Sequence, residues 1–149
     1  MPNVKKPVDQ SLHLDNQLCF ALYSASLTMT KIYKPMLDAI GLTYPQYLVM
    51  VVLWQEDGLI VSEIGERLLL DSGTLTPLLK RMETSGLLAR QRDREDERRV
   101  RVNLTSEGNV LRLKAAEIPS CIRDTTGCSL SELRSLTQHI KKFRQRLMS

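Results

Sequence analysis

The sequence has no apolar run that reaches the roughly 18 residues needed to cross a bilayer. Its longest, Tyr47-Leu48-Val49-Met50-Val51-Val52-Leu53-Trp54, is far shorter and reads as a buried helix. No apolar segment follows Met1-Pro2-Asn3-Val4-Lys5-Lys6, so no secretory signal is expected. The expectation is a cytoplasmic protein with no membrane partner. Cysteine is sparse: Cys19, Cys121 and Cys128, an odd number that argues against a structural disulfide framework. Histidine is sparser, with only His13 and His139. Neither Cys-x-x-Cys nor His-Glu-x-x-His occurs, so no zinc site and no cofactor are expected. Seven glycines and six prolines are too few for a loop-rich or collagen-like chain. There is no internal repeat and no low-complexity segment.

What is present fits one domain with one core: 149 residues, 42% of them apolar and 26% charged. The net charge of +4 favours polyanionic partners only mildly, so the position of the charge matters more than its sum.

Residues 1–11 read as a short disordered arm. Asp15 is then placed to cap a long helix whose apolar row is Leu18, Leu22, Ala25, Met29, Ile32 and Met36. That spacing suits a helix facing another helix. Pro35 is placed to kink or end it. Gly41 breaks the chain, and Thr43-Tyr44-Pro45 opens a second helix running to about Gln55. Asp57-Gly58 signals a turn. Ser62 can cap a short helix over Glu63 to Leu69, and Asp71 or Ser72 can cap another through about Thr84, with Gly86 just past its end. Two short helices joined by a tight break are the general form of a helix-turn-helix.

Leu87 to Arg92 and the alternating Val100-Arg101-Val102-Asn103-Leu104 bracket a charged tip, as the two strands of a hairpin do. Thr105 or Ser106 opens a helix reaching roughly Thr125, with Pro119 inside it as an expected kink. Ser129-Leu130-Ser131-Glu132 has the form of a capping box. The last helix carries Leu130, Leu133, Leu136, Ile140, Phe143 and Leu147 on one face. The expected fold is mainly α with a small β-hairpin wing, a dimeric winged helix-turn-helix. Residues 43–104 would form the winged unit, and 12–40 and 105–149 the dimerisation helices. A monomer would leave both terminal seams uncovered.

A helix that enters a major groove needs short polar and basic side chains on its exposed face. The segment after Asp71 offers Ser72, Thr74, Thr76, Lys80 and Arg81 against an inner face of Leu75, Leu78, Leu79 and Met82. Taken alone this is an ordinary amphipathic helix with a solvated face. The hairpin adds Arg90, Arg92, Arg94, Arg98, Arg99 and Arg101, set against Asp93, Glu95, Asp96 and Glu97. Exposed arginine reaches phosphates and minor grooves, whereas acids repel phosphate. One acid therefore reads as an orienter that holds an arginine fork by a bidentate pair, and Asp96 with Arg98 is the best-placed couple.

The run Val61-Ser62-Glu63-Ile64-Gly65-Glu66-Arg67-Leu68, the run Leu70-Asp71-Ser72-Gly73-Thr74-Leu75-Thr76-Pro77-Leu78-Leu79-Lys80-Arg81-Met82, and Gly86-Leu87-Leu88 resemble the MarR family of winged-helix regulators. The tip Asp96-Glu97-Arg98-Arg99 is similar to that family's Asp-x-Arg wing. The resemblance covers about residues 12 to 147. It implies that the helix from Ser72 reads the major groove, that Arg98 enters the minor groove with Asp96 positioning it, and that Arg99 adds to the contact. It further implies a homodimer that represses transcription from pseudo-palindromic double-stranded operator DNA, and no enzymatic activity.

Cys19 falls in the second turn of the first helix as counted from Asp15, where the field of a helix N-terminus favours a thiolate. The plainer reading is a buried structural cysteine. Tyr23 shares its face one turn on. Leu14-Asp15-Asn16-Gln17-Leu18-Cys19-Phe20-Ala21-Leu22-Tyr23-Ser24 and Leu42-Thr43-Tyr44-Pro45-Gln46-Tyr47-Leu48 resemble the OhrR subgroup, whose members sense organic hydroperoxides through an N-terminal cysteine. The resemblance implies an organic hydroperoxide as inducer and a Cys19 thiolate hydrogen-bonded by Tyr33 and Tyr44. Fourteen helical residues span about 21 Å, so Tyr33 would have to reach Cys19 of a partner chain. The plain alternative for all three tyrosines is interface packing.

The two-cysteine type of that subgroup closes an intersubunit disulfide with a cysteine on the penultimate helix. Its resolving position, aligned through Cys128-Ser129-Leu130, falls near Asp124, one turn from Cys121. Cys121 is preferred on that ground, with Cys128 as the alternative. Three rival functions remain: a MarR-type repressor controlled by a small aromatic ligand, a thiol peroxidase using Cys19, and a pure dimerisation module. The peroxidase leaves the basic wing unexplained and has only His13 near its thiol in sequence.

Overall fold

The computed structural model describes residues 9–149. Most of the expected N-terminal arm, residues 1–8, lies outside them. Residues 10 and 11 of that arm lie in a helical turn. Two single turns of 3-10 helix, Gln10–Leu12 and Leu14–Asn16, precede the first α-helix, and the Asp9 carboxylate accepts from the Ser11 N–H at 2.9 Å. Asp15 therefore caps nothing. It sits in the second turn, closed by the Gln17 N–H on the Leu14 carbonyl at 3.0 Å, and the helix begins one turn later. Its cap position is Gln17, whose side-chain amide instead donates back to Ser11 and His13 carbonyls.

Helix α1 runs Leu18–Asp38 without a break. Pro35 neither ends nor interrupts it, although its missing N–H leaves the Lys31 carbonyl without its i→i−4 partner. Helix α2, Tyr44–Gln55, opens as expected: Thr43 and Gln46 bond reciprocally at 3.0 and 3.3 Å, with Pro45 in the first turn. Tyr47, Val49, Met50, Val52 and Leu53 are buried, which makes α2 the central rod of the core.

Helix α3, Val61–Leu68, starts earlier than expected. Ser62 does not cap it; the Glu63 carboxylate reaches back to the Ile60 N–H at 3.3 Å and fills that role. The turn to α4, Ser72–Thr84, is tight. Leu69 takes the left-handed conformation, φ 57°, at a cost of about 1–2 kcal/mol for a residue with a Cβ. The Leu70 N–H bonds the Gly65 carbonyl at 3.0 Å. A Cβ on Gly65 would meet the Leu70 carbonyl oxygen at 2.7 Å, so only glycine permits this approach. Asp71 caps α4, accepting from the Thr74 N–H at 2.7 Å.

Strands β1 (Leu59–Ile60), β2 (Leu88–Arg92) and β3 (Val100–Leu104) form an antiparallel sheet in the order β1-β3-β2. Leu88 faces Leu104 and Arg92 faces Val100 across the hairpin, while Leu59 faces Val102. The two-residue β1 has no counterpart in the sequence reading. The expected single kinked helix from Thr105 to about Thr125 is two: α5, Ser106–Ala115, and α6, Ile118–Thr126. Pro119 does not kink a helix interior; it sits in the first turn of α6, where its missing N–H has no intrahelical partner to lose. Helix α7, Leu130–Met148, is capped by Ser129, whose hydroxyl accepts from the Glu132 N–H at 3.1 Å.

One cluster of buried side chains joins α2, α3, α4, the sheet, α5 and α6, with Leu37 of α1 at its edge. Two contacts fix α5 to it. The Trp54 indole N–H donates to the Gly108 carbonyl at 2.9 Å. A Cβ on Gly108 would lie 2.1 Å from the Leu87 carbonyl oxygen. By contrast α7 has no buried residue, and Leu130, Leu136, Ile140 and Leu147 are exposed.

Candidate nucleic-acid interface and thiol region

Leu75, Leu78, Leu79 and Met82 are all buried, which turns the opposite face of α4 outward. Asp71, Ser72, Thr74, Lys80 and Arg81 are exposed there, and Thr76 is half-buried. The Asp71 carboxyl is held below its ordinary range by the Thr74 hydroxyl and then the Thr74 N–H. It is therefore occupied as a cap rather than free to meet phosphate.

Three of the six wing arginines are held by other groups of the fold. Arg90 is bound by Glu83 of α4, whose carboxylate takes the Arg90 backbone N–H at 2.7 Å and its Nε and Nη2 at 3.3 and 3.2 Å. The backbone N–H is the largest cause holding the Glu83 carboxyl below its ordinary range. Arg92 donates to the Glu97 carbonyl at 2.9 Å. Arg101 bonds the Gly58 carbonyl and pairs with Asp93 at 3.1 Å. Asp93 is held low first by the Glu95 N–H and then by Arg101.

Arg94, Arg98 and Arg99 remain, and all three are exposed. Arg98 is 92% exposed, with Nε 3.2 Å from Asp96 Oδ1. The bidentate fork expected of this couple does not form. Asp96 Oδ1 takes both the Arg98 backbone N–H, at 3.1 Å, and Nε, while Oδ2 faces Arg99 Nε at 3.7 Å. Asp96 thus bends the tip and leaves the outer edge of the Arg98 guanidinium unpaired. Between α4 and the wing lies a groove of about 290 Å³ whose lining includes Ser62, Ser72, Thr76, Arg90, Arg98 and Arg99. Ile60, Val61, Leu79 and Val100 complete the lining, which therefore mixes hydroxyls and guanidinium groups with apolar side chains.

Cys19 is the second residue of α1 and is exposed, so it lies in the first turn rather than the second. Tyr23 is exposed one turn on. Tyr33 and Tyr44 meet each other, with ring centroids 5.0 Å apart, and Tyr47 completes the cluster at 5.9 Å from Tyr33. Burial, followed by the neighbouring phenols Tyr44 and Tyr47, pushes the Tyr33 hydroxyl up to about 12, so it remains a proton donor at any physiological pH. With α1 unbroken, Cys19 and Tyr33 of one chain stand about 21 Å apart. Cys121 is exposed on α6. Cys128 is half-buried in the α6–α7 link, its thiol 3.6 Å from the Thr126 carbonyl.

The sequence reading did not find Glu83 and Arg90 as a pair. The available signal was an acid in the last turn of a helix and a basic residue seven positions on, across a glycine turn. No group of three or more His, Cys, Asp or Glu able to hold a metal ion occurs among the described residues.

Residues 31–114 match the family described as transcriptional regulator SarA/Rot. The chain is 51% identical over 125 residues to the organic hydroperoxide resistance transcriptional regulator of Bacillus subtilis, covering 84% of this chain and 85% of that one. Its fold is similar to reduced AbfR bound to DNA, a Staphylococcus epidermidis protein: TM-score 0.77, 34% identity, 91% of this chain and 95% of that one. Disulfide-formed AbfR gives TM-score 0.65 at 37% identity over 91% and 92%.

Proposed function

The chain belongs to the MarR family of winged-helix regulators, in the group of OhrR, SarZ and AbfR, and from that premise we propose that it is a homodimeric repressor of the hydroperoxide-sensing type. It binds operator DNA when reduced and releases it when Cys19 is oxidised. Among the described residues no helix is long and apolar enough to cross a membrane. The reading places the protein in the cytoplasm with duplex DNA as its partner. Residues 43–104 form the DNA-binding unit, and 12–40 and 105–149 supply the dimer.

The observation that carries the DNA half is Arg98, almost wholly exposed and braced by Asp96 beside the polar face of α4. In this reading Ser72, Thr74, Thr76, Lys80 and Arg81 face the major groove, and Arg98 enters the flanking minor groove with Arg99 on phosphate. Asp71 acts by starting the helix at the right residue. Two half-sites related by the dimer axis make the operator pseudo-palindromic.

The sensing half rests on the unbroken α1. Because Cys19 and Tyr33 of one chain are so far apart, the Tyr33–Tyr44 pair serves the partner's Cys19 across antiparallel first helices. Phenol donors stabilise the thiolate. The thiolate sulfur attacks a peroxide oxygen: an S–O bond forms, the O–O bond breaks, and the alkoxide leaves as the alcohol after taking a proton. The sulfenic acid at Cys19 is then attacked by a second thiolate; the S–S bond forms and hydroxide leaves as water. Two electrons pass from two thiols to the hydroperoxide. The exposure of Cys121 favours it as the resolving group, whereas the Cys128 thiol is half-buried against Thr126.

The test is duplex binding at fixed salt before and after one equivalent of cumene hydroperoxide. Oxidation is expected to weaken binding, and Cys19→Ser to abolish that response. Retained binding after full oxidation of Cys19 would refute the reading. Peptide mapping of the same sample is expected to show Cys19 joined to Cys121, and a dominant Cys19–Cys128 product would refute that assignment.

A second reading, control by a small aromatic ligand, is favoured by one observation. An apolar groove of about 380 Å³ between α1 and α2 is lined by Leu27, Leu37, Leu42 and Tyr44 among others. Under this reading a phenolic acid releases DNA from Cys19→Ser as readily as from the native protein.

A further inference from the structure

The acids near the DNA-facing surface are costly, since each repels phosphate. Asp71, Asp93 and Asp96 each have a visible local task as cap, brace or tip. Glu83 differs. It belongs to α4, but its carboxylate is committed to β2, through the Arg90 backbone N–H at 2.7 Å and the Arg90 side chain at 3.2 and 3.3 Å. Arg90 in turn lines the groove between α4 and the wing, together with Ser72, Thr76 and Arg98. One carboxylate thus ties the helix to the strand that carries the wing, at the wall of the groove.

We propose that Glu83 is a positioning residue for sequence-specific DNA recognition, a clamp that sets the spacing between the polar face of α4 and Arg98. The proposal rests on the reading of α4 and Arg98 as the two DNA-contacting elements. A rigid joint is needed because the two contact adjacent grooves of one duplex. If the wing swings against the helix, both cannot be in register at once, and only the backbone contacts survive. The clamp fixes backbone as well as side chain: its shortest bond is to the main chain of β2, so even a long mobile side chain at position 90 could not replace it.

Charge and position predict opposite outcomes here. Removing Glu83 adds one positive charge to the DNA-facing surface and frees the Arg90 guanidinium, so electrostatics alone tightens binding to every duplex. Loss of positioning weakens binding only to a duplex whose sequence is read.

The experiment uses the full-length reduced protein and two duplexes. One is enriched from a random-sequence library by the native protein, and the other is a scrambled duplex of equal length and composition. Glu83→Ala is expected to bind the enriched duplex about tenfold more weakly and the scrambled one at least as tightly as the native protein. Glu83→Gln, nearly isosteric, keeps an oxygen for the Arg90 N–H and loses the ion pair. Its specificity ratio is expected to fall about threefold, and it decides the matter if the alanine variant does not fold. An unchanged ratio in both variants overturns the proposal. Arg98→Ala run alongside locates the failure. A lowered ratio there with no effect at Glu83 removes the clamp alone, and an unchanged ratio at both positions removes the clamp together with the reading of the wing.

Discussion

Helices α4 and α7 are both amphipathic, 13 and 19 residues long, yet they sit in the molecule in opposite ways. α4 buries Leu75, Leu78, Leu79 and Met82 in its own chain's core, while α7 buries nothing and shows Leu136, Ile140 and Leu147 to water. The polar face of α4 is therefore turned outward by packing that one chain completes by itself. The apolar face of α7 finds no cover among the described residues, and apolar rows of this length are rarely left exposed. In the proposed homodimer, stability within one chain and stability between chains are separated along the sequence, and that separation is open to experiment.

The largest effect is expected in the self-contained unit. Leu79→Ala empties a fully buried site and is expected to cost about 4 kcal/mol in urea unfolding at fixed protein concentration. Gly108→Ala comes next. Its Cβ collides with the Leu87 carbonyl, and overpacking of this kind costs about 3 kcal/mol. Calorimetry checks this, and a native melting temperature would mean that α5 shifts freely on the core. In α7, the pair Leu136→Ala and Ile140→Ala is expected to lose only about 1–2 kcal/mol, and to shift the proposed dimer towards monomer in sedimentation. A loss as large as that at Leu79, with the association state unchanged, would erase the contrast. The smallest effect belongs to Tyr33. Its folded value of about 12 stands above the ordinary 10, so the stability it contributes is fully present below pH 10 and is lost as pH rises towards 12. Tyr33→Phe is expected to flatten that alkaline decline in a pH series of unfolding curves while leaving the neutral region almost unchanged.

Features with a local cause were legible in the sequence. Thr43, Asp71, Thr105 and Ser129 all cap helices because a cap needs only a short oxygen side chain and the amides two or three residues on. The inner face of α4 and the second hairpin strand followed from periodicity, and the first strand from its place across the charged tip. Features that depend on distant partners were not. β1 is two residues long and exists only because Val102 and Arg101 of β3 lie beside it. Pro119 reads equally as a kink or as a first-turn residue until the break after Ala115 is seen. The need for glycine at 65 and 108 comes from carbonyls of Leu70 and Leu87, which approach from other segments. Of the candidate interface, residue types and their face were legible. The division of the wing arginines into braced and presented ones was not, because it is decided by Glu83, Asp93 and Gly58 across the fold.

The bond from Trp54 to Gly108 has an optical consequence. The chain has one tryptophan, and its indole N–H is tied to the first turn of α5, where the core meets the C-terminal helices. Its ring also stands edge-on to Tyr47, 6.4 Å away, which links it to the Tyr33–Tyr44 cluster. Indole emission depends on the partner of its N–H and on nearby quenchers. The native protein therefore carries a built-in fluorophore at the joint that any movement of α5 against α2 must strain, readable in real time without a label.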